Sequence, residues 1–164
     1  EILEECGANC DSSCYRCLRK FSNKFEHNLL DRHLGASLLK HFIYGSRPQI
    51  SDSKISEYSE VLAVALQERS DMSITISRNY SFESSIGLVK FPLAINTAHG
   101  LYGMCFSHPL VPEQPVDEKL MELYEFGMDR GLSLIKPIDA QRVTYKLPEV
   151  VTEIWEVASG QVNS

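Results

Sequence analysis

The stretch CGANCDSSCYRCLRKFSNKFEHNLLDRHL, residues 6–34, carries four of the chain's five cysteines in its first twelve positions. Cys6, Cys10, Cys14 and Cys17 follow the pattern Cys-x3-Cys-x3-Cys-x2-Cys, and Cys105 stands apart. A tetrahedral zinc needs four soft ligands at about 2.3 Å, and gaps of two or three residues let a short loop wrap thiolates around one ion at small closure cost. Zinc is therefore the expected occupant. Because four thiolates leave no position for water, the site should be structural and contribute folding energy.

Other uses of four cysteines compete with this one. Secreted disulfide scaffolds spread their cysteines over a small, core-poor chain, whereas these crowd one end of a chain with ample apolar sequence. A redox pair at Cys14 and Cys17 leaves Cys6 and Cys10 unexplained. An iron–sulfur cluster uses four cysteines too and stays open.

Beyond the cysteines, Leu30, Leu34 and Leu38 recur every four residues, with Leu29, Leu39 and Phe42 widening the stripe. This spacing predicts an amphipathic helix ending near Gly45, with the cysteine loop at its start. Asp31 and Arg32 read as an ion-pair or backbone-bonding device tying helix to loop. His27 and His33 are available as spare ligands, but a complete four-sulfur shell assigns His27 to a supporting position around it.

The cysteines run directly into Cys14-Tyr15-Arg16-Cys17-Leu18, then Phe21, Asn23, His27 and Leu30-Asp31-Arg32. This block resembles the MZB-type zinc-binding domain, formerly a domain of unknown function, of superfamily 2 DNA helicases and of DISARM- and Druantia-type anti-phage defence proteins. The likeness spans roughly residues 6–45. It departs from the family at Phe21, where Tyr is common, and at Lys24, where Gln is common. It implies a bacterial, cytoplasmic, helicase-associated or antiviral-defence protein whose partners are a helicase motor or another subunit of one complex.

The net charge of −6 conceals an asymmetry: residues 12–47 carry +5, whereas residues 1–11 carry −4 and residues 48–164 carry −7. Only the segment beside the cysteines offers an anion a favourable field. There Arg16, Arg19, Lys20, Lys24 and Arg32 interleave with Tyr15, Phe21 and Phe25, a pattern suited to phosphate contacts with base stacking. The competing reading is a solvated helix face with its aromatics buried.

Residues 46–53 form a polar connector, followed by a helix with Ile55, Tyr58, Leu62 and Ala65 at helical spacing. Met72 to Arg78 alternates like a half-buried strand. Ile86 to Ile95 and Leu101 to Val111 are apolar runs around a turn at residues 96–100, and Pro92 argues for an edge position or a bulge. Val116, Leu120, Leu123 and Tyr124 mark a helix stopped near Gly127 to Gly131. Leu132 to Ile135 and Arg142 to Tyr145 read as strands, and Pro148 opens a last helix with Val151, Ile154 and Trp155 on one face. The fold class is α+β: a module of residues 1–45, then an α+β remainder, residues 46–164, with a small, mainly antiparallel sheet.

The remainder offers no recognisable catalytic centre. Cys105 and His108 are three apart, an odd separation that places them on opposite faces of a strand. His99 and Ser107 lack a nucleophile-elbow context, and the sequence contains no phosphate loop, Gly-x-Gly-x2-Gly or His-Glu-x2-His pattern. Acidic pairs such as Asp117-Glu118 sit where helix starts favour acids.

The longest apolar stretches, such as Val61–Leu66, fall far short of the roughly 18 residues of a membrane span. The chain opens on Glu1, not Met, and EILEEC lacks the basic and apolar regions of a secretory signal. Of a processed chain and a piece of a longer protein, the second is expected, because the metal motif starts almost at once with nothing before it to form a supporting core. The function expected is a zinc-binding accessory domain that supports DNA handling or subunit assembly. The alternative is a protein-interaction adaptor that never touches nucleic acid.

Overall fold

A computed structural model of the 164-residue chain describes residues 3–69, 74–126 and 131–160. It divides into two compact units, Glu1–Gln49 and Ile50–Ser164. The architecture is α+β: a cysteine loop and helices, then a mainly antiparallel sheet with flanking helices.

In the first unit the cysteine loop leads into a 3-10 helix, Phe21–Glu26, and then α1, Arg32–Tyr44. Asp31 caps α1, its carboxylate accepting from the amides of His33 at 2.8 Å and Leu34 at 3.2 Å. Gly45, at φ 64°, ends it by placing its N–H on the His41 carbonyl. A left-handed residue at this position costs glycine no steric strain and satisfies a carbonyl that the helix leaves open.

Helix α1 differs from expectation in what it buries. Its leucine stripe predicts a covered apolar face, yet Leu39 is 49% and Phe42 75% exposed. The buried residue of α1 is Arg32. The first unit is therefore ordered by its loop and its hydrogen bonds more than by an apolar core.

The second unit opens with α2, Asp52–Arg69, whose Leu62, Ala63 and Leu66 are fully buried. Strands β1, Thr75–Ser84, β2, Gly87–Thr97, and β3, Gly100–Met104, pair antiparallel in sequence order. Next come the short β4, Phe106–Ser107, and α3, Glu118–Phe126. Strand β5, Leu132–Leu134, joins β3 in parallel, and β6, Ile138–Asp139, joins β4 in parallel. The unit closes with α4, Ala140–Tyr145, and α5, Leu147–Ala158.

One cluster packs α2 and α5 with Leu93, Ile95, Tyr102 and Met104 of the sheet. A second joins Val89, Phe91 and Cys105 to Leu120 and Leu123 of α3 and to Leu132. Phe91 lies over Gly103, where an added Cβ would come within 2.7 Å of its ring.

Several expectations are corrected here. Arg142 to Tyr145 is helical, because Asp139 caps the segment through the Gln141 amide and the Lys146 amide closes it on the Arg142 carbonyl. The run Leu101 to Val111 does not continue as one strand. After Ser107 the chain turns at Pro109, and the Val111 amide bonds the His108 carbonyl at 2.8 Å.

The predicted strand at Met72 begins at Thr75, and Met72 itself lies outside the described residues. Pro92 sits in an inner strand, not an edge strand. It is tolerated because pairing with β3 stops at Leu93, and because Asn79 across the β1 ladder leaves the pairing at φ 50°. A missing N–H then costs no ladder bond on that side.

Candidate metal centre

Residues 6–17 close on themselves through local hydrogen bonds. The Asn9 amide bonds the Cys6 carbonyl at 2.7 Å, and the amides of Cys17 and Arg19 both reach the Cys14 carbonyl, at 3.1 and 3.0 Å. These turns bring the four sulfurs within 4.8 Å of one another. Cys6 and Cys14 sulfurs lie 3.6 Å apart, Cys10 and Cys17 3.6 Å, and Cys14 and Cys17 3.8 Å.

This donor set fits a metal ion. A tetrahedron with metal–sulfur bonds of about 2.3 Å has sulfur–sulfur edges of about 3.8 Å. A disulfide, by contrast, requires about 2.05 Å, and all five cysteines are free. The four cysteines can therefore hold a metal ion, and the disulfide framework is excluded for them.

Backbone donors also point at the sulfurs. The amides of Ala8, Cys14 and Arg16 donate to Cys6 at 3.5 Å, Cys17 at 3.1 Å and Cys14 at 3.3 Å. Hydrogen bonds to a thiolate favour the ionised form that binds a metal. The Ala8 amide holds the Cys6 thiol down to about 6, whereas desolvation pushes Cys10 up to about 12. A metal ion bound there would displace the protons that remain on the sulfurs.

Arg32 clamps the loop from outside. Its Nε and Nη2 donate to the Cys10 carbonyl at 3.3 and 3.0 Å, and Nη1 donates to the carbonyls of Leu3 at 3.1 Å and Glu4 at 2.6 Å. Its own amide bonds the Ser12 carbonyl at 2.9 Å. With 6% of its surface exposed and four of its five guanidinium N–H groups on backbone carbonyls, Arg32 is a structural tie, turned inward and away from the phosphate contact expected of it. His33 adds a bond from Nε2 to the Asp11 carbonyl at 2.8 Å. Asp31 acts as the helix cap, not as an ion-pair partner of Arg32.

The other predicted residues divide by exposure. His27 Nε2 donates to the Lys20 carbonyl and to Asn23 Oδ1, at 3.0 and 3.1 Å, and its ring meets Tyr15 edge-on at 5.3 Å. Arg19 is half-buried and donates to Ser13 Oγ at 3.0 Å. Arg16, Lys20 and Lys24 are exposed, as are Tyr15, Phe21 and Phe25. The aromatics are thus not the buried half of a solvated helix.

In the second unit Cys105 is buried, and its thiol donates to Tyr124 Oη at 3.3 Å. Burial pushes that thiol up to about 12, which removes its nucleophilic form near neutrality. His108 is also buried, and its Nδ1 accepts the Leu110 amide at 3.1 Å. The two do not form a nucleophile and base. A cleft of about 250 Å³ lies between α2 and the sheet, but Arg78 on its wall is held by Glu60 at 2.6 and 3.0 Å.

Fold and site together define an α+β protein with a four-cysteine cluster of metal-binding geometry. The chain is similar to Druantia protein DruE of Escherichia coli (strain UMEA 4076-1), at 41% identity over 64 residues. That stretch covers 38% of this chain and 3% of that protein, so the chain spans a small part of the length of the relative it matches. No family model matches the chain, and no solved structure does. Among the described residues no helix is long and apolar enough to cross a membrane.

Proposed function

We propose that this chain is a zinc-binding accessory module of an anti-phage defence complex, of the MZB type, working beside a DNA helicase motor in the cytoplasm. The observation that carries it is the set of four sulfurs within 4.8 Å of one another. Three of the six edges are 3.6 to 3.8 Å and none exceeds 4.8 Å, spacings that suit a single ion and are short for a cluster of several iron and sulfide atoms. Among ions that take four thiolates in a tetrahedron, zinc has no redox chemistry and needs no open position. Its contribution would be folding energy.

The defence assignment rests on the similarity to DruE, and the DNA assignment on the basic, aromatic surface beside the centre. Residues 1–45 form the module in this reading, and residues 46–164 form the body that carries it. Arg16, Lys20 and Lys24 are the exposed cations proposed for phosphate contact. His27 and Arg32 support the loop.

An adaptor role has its own observation. Leu39, Phe42 and Ile43 of α1 are exposed together, which suits burial against another protein surface. Both roles depend on an intact centre.

Elemental analysis of the purified chain should give about one zinc per chain. The double substitution Cys14→Ser and Cys17→Ser should abolish zinc retention. Introduced into the native gene of the host, it should raise phage plating to the level of cells lacking the gene. A folded, zinc-free wild-type chain would overturn the metal assignment, and undiminished protection by the double variant would overturn the defence role.

A further inference from the structure

The 3-10 helix Phe21–Glu26 buries none of its residues. Phe21 is 79% and Phe25 85% exposed, and the Lys24 ammonium lies 5.0 Å from one ring centroid and 4.9 Å from the other. One cation thus bridges two outward-facing rings. Tyr15, 68% exposed, is tied to the same loop through His27, which bonds the Lys20 carbonyl.

Leaving a phenylalanine in water forfeits about 1.5–3 kcal/mol of burial, so two on a six-residue helix call for an occupant. The rings are interleaved with exposed Arg16, Lys20 and Lys24. A protein partner that covered the rings would also strip water from these cations, at a cost that only matching acids could offset. A nucleic acid brings a phosphate with every base, and the +5 charge of residues 12–47 supplies the attracting field.

Resting on the nucleic-acid reading above, we propose that Phe21, Lys24 and Phe25, extended by Tyr15, form a stacking platform for single-stranded nucleic acid. Bases lie on the rings, and the backbone runs past Arg16, Lys20 and Lys24. A duplex keeps its base faces stacked on one another, so it can use only the cations. Selectivity for an unpaired strand follows from the rings. Every base has a π-face, so the platform tolerates any sequence.

The test is fluorescence anisotropy of the zinc-loaded 164-residue chain with labelled oligo(dT), oligo(U) and a closed DNA hairpin duplex. The single strands should bind at least about tenfold tighter than the hairpin, and whichever of oligo(dT) and oligo(U) binds tighter identifies the strand type. The double substitution Phe21→Leu and Phe25→Leu keeps apolar bulk but removes both rings. It should weaken single-strand binding about tenfold or more, with zinc content and the salt slope unchanged. Should that variant lose zinc, Phe25→Leu alone carries the comparison.

Lys20→Gln with Lys24→Gln should instead flatten the salt dependence by one to two counterions. Equal or tighter hairpin binding, or affinity unmoved by the leucine variant, would overturn the platform and assign the rings to a protein partner. So would a zinc-loaded chain that binds no nucleic acid, which leaves the metal assignment standing. Ring-dependent binding by a zinc-free chain would sink the metal assignment alone.

Discussion

The Arg32 guanidinium grips the Cys10 carbonyl with two of its nitrogens, at 3.3 and 3.0 Å, so the first residue of α1 holds the middle of the cysteine loop. The planar fork suits this task because its donors diverge at fixed angles toward several acceptors. A lysine would bring the charge without the fork.

Arg32→Lys and Arg32→Ala should both weaken metal retention, by about 10- to 100-fold, the range typical of groups that orient ligands. Competition against a chromophoric chelator measures this directly. Unchanged affinity in the alanine variant would show that the loop closes without its clamp.

Asp31 contributes at the same junction by a different route. Asp31→Ala removes the acceptor for two amides of α1 and should cost about 1 kcal/mol of stability. Asp31→Asn should recover most of it, since asparagine caps nearly as well. Urea unfolding of the three proteins compares them.

Gly103 is required by the ring beside it. Gly103→Ala would push a methyl to 2.7–2.9 Å from Phe91 atoms, inside a fully buried contact. The expected loss is about 1–3 kcal/mol, and the double variant with Phe91→Leu should regain part of it. A double-mutant cycle that shows no coupling would contradict the contact.

Cys105 makes stability sensitive to alkali. Its thiol ionises near 9 in an unfolded chain but is pushed up to about 12 by burial. The folded state therefore keeps a proton that the unfolded state loses. The benefit is complete below about pH 9 and disappears as pH rises toward 12. Between pH 8 and 10.5 the wild type should lose on the order of 2 kcal/mol more than Cys105→Ala, as read from urea midpoints. The same protonated thiol should resist iodoacetamide at pH 7.5 in the native protein.

The sequence was most readable where structure depends on near neighbours. Cysteine spacing announced the sulfur cluster, Gly45 marked the end of α1, and the apolar runs on either side of residues 96–100 marked the β2–β3 hairpin. Arg32 was misleading, since a basic residue among basic residues resembles a phosphate ligand until the carbonyls it serves are known. Those carbonyls lie 22 to 29 positions away in sequence. The 3-10 helix gave no periodic signal, because a six-residue segment with no buried face has none to give. Parallel pairing of β5 with β3 was equally silent, since it depends on the path of the chain between them.

The Arg32 clamp also has a bearing on synthesis. All its partners, and all four cysteines, precede it in the chain, so the knot has every part it needs once the α1 segment leaves the ribosome. The sheet must wait for β5, about a hundred residues later. Metal supply in the growing cell can thus decide the fate of the cysteine loop and α1 before strands β1 to β5 have paired.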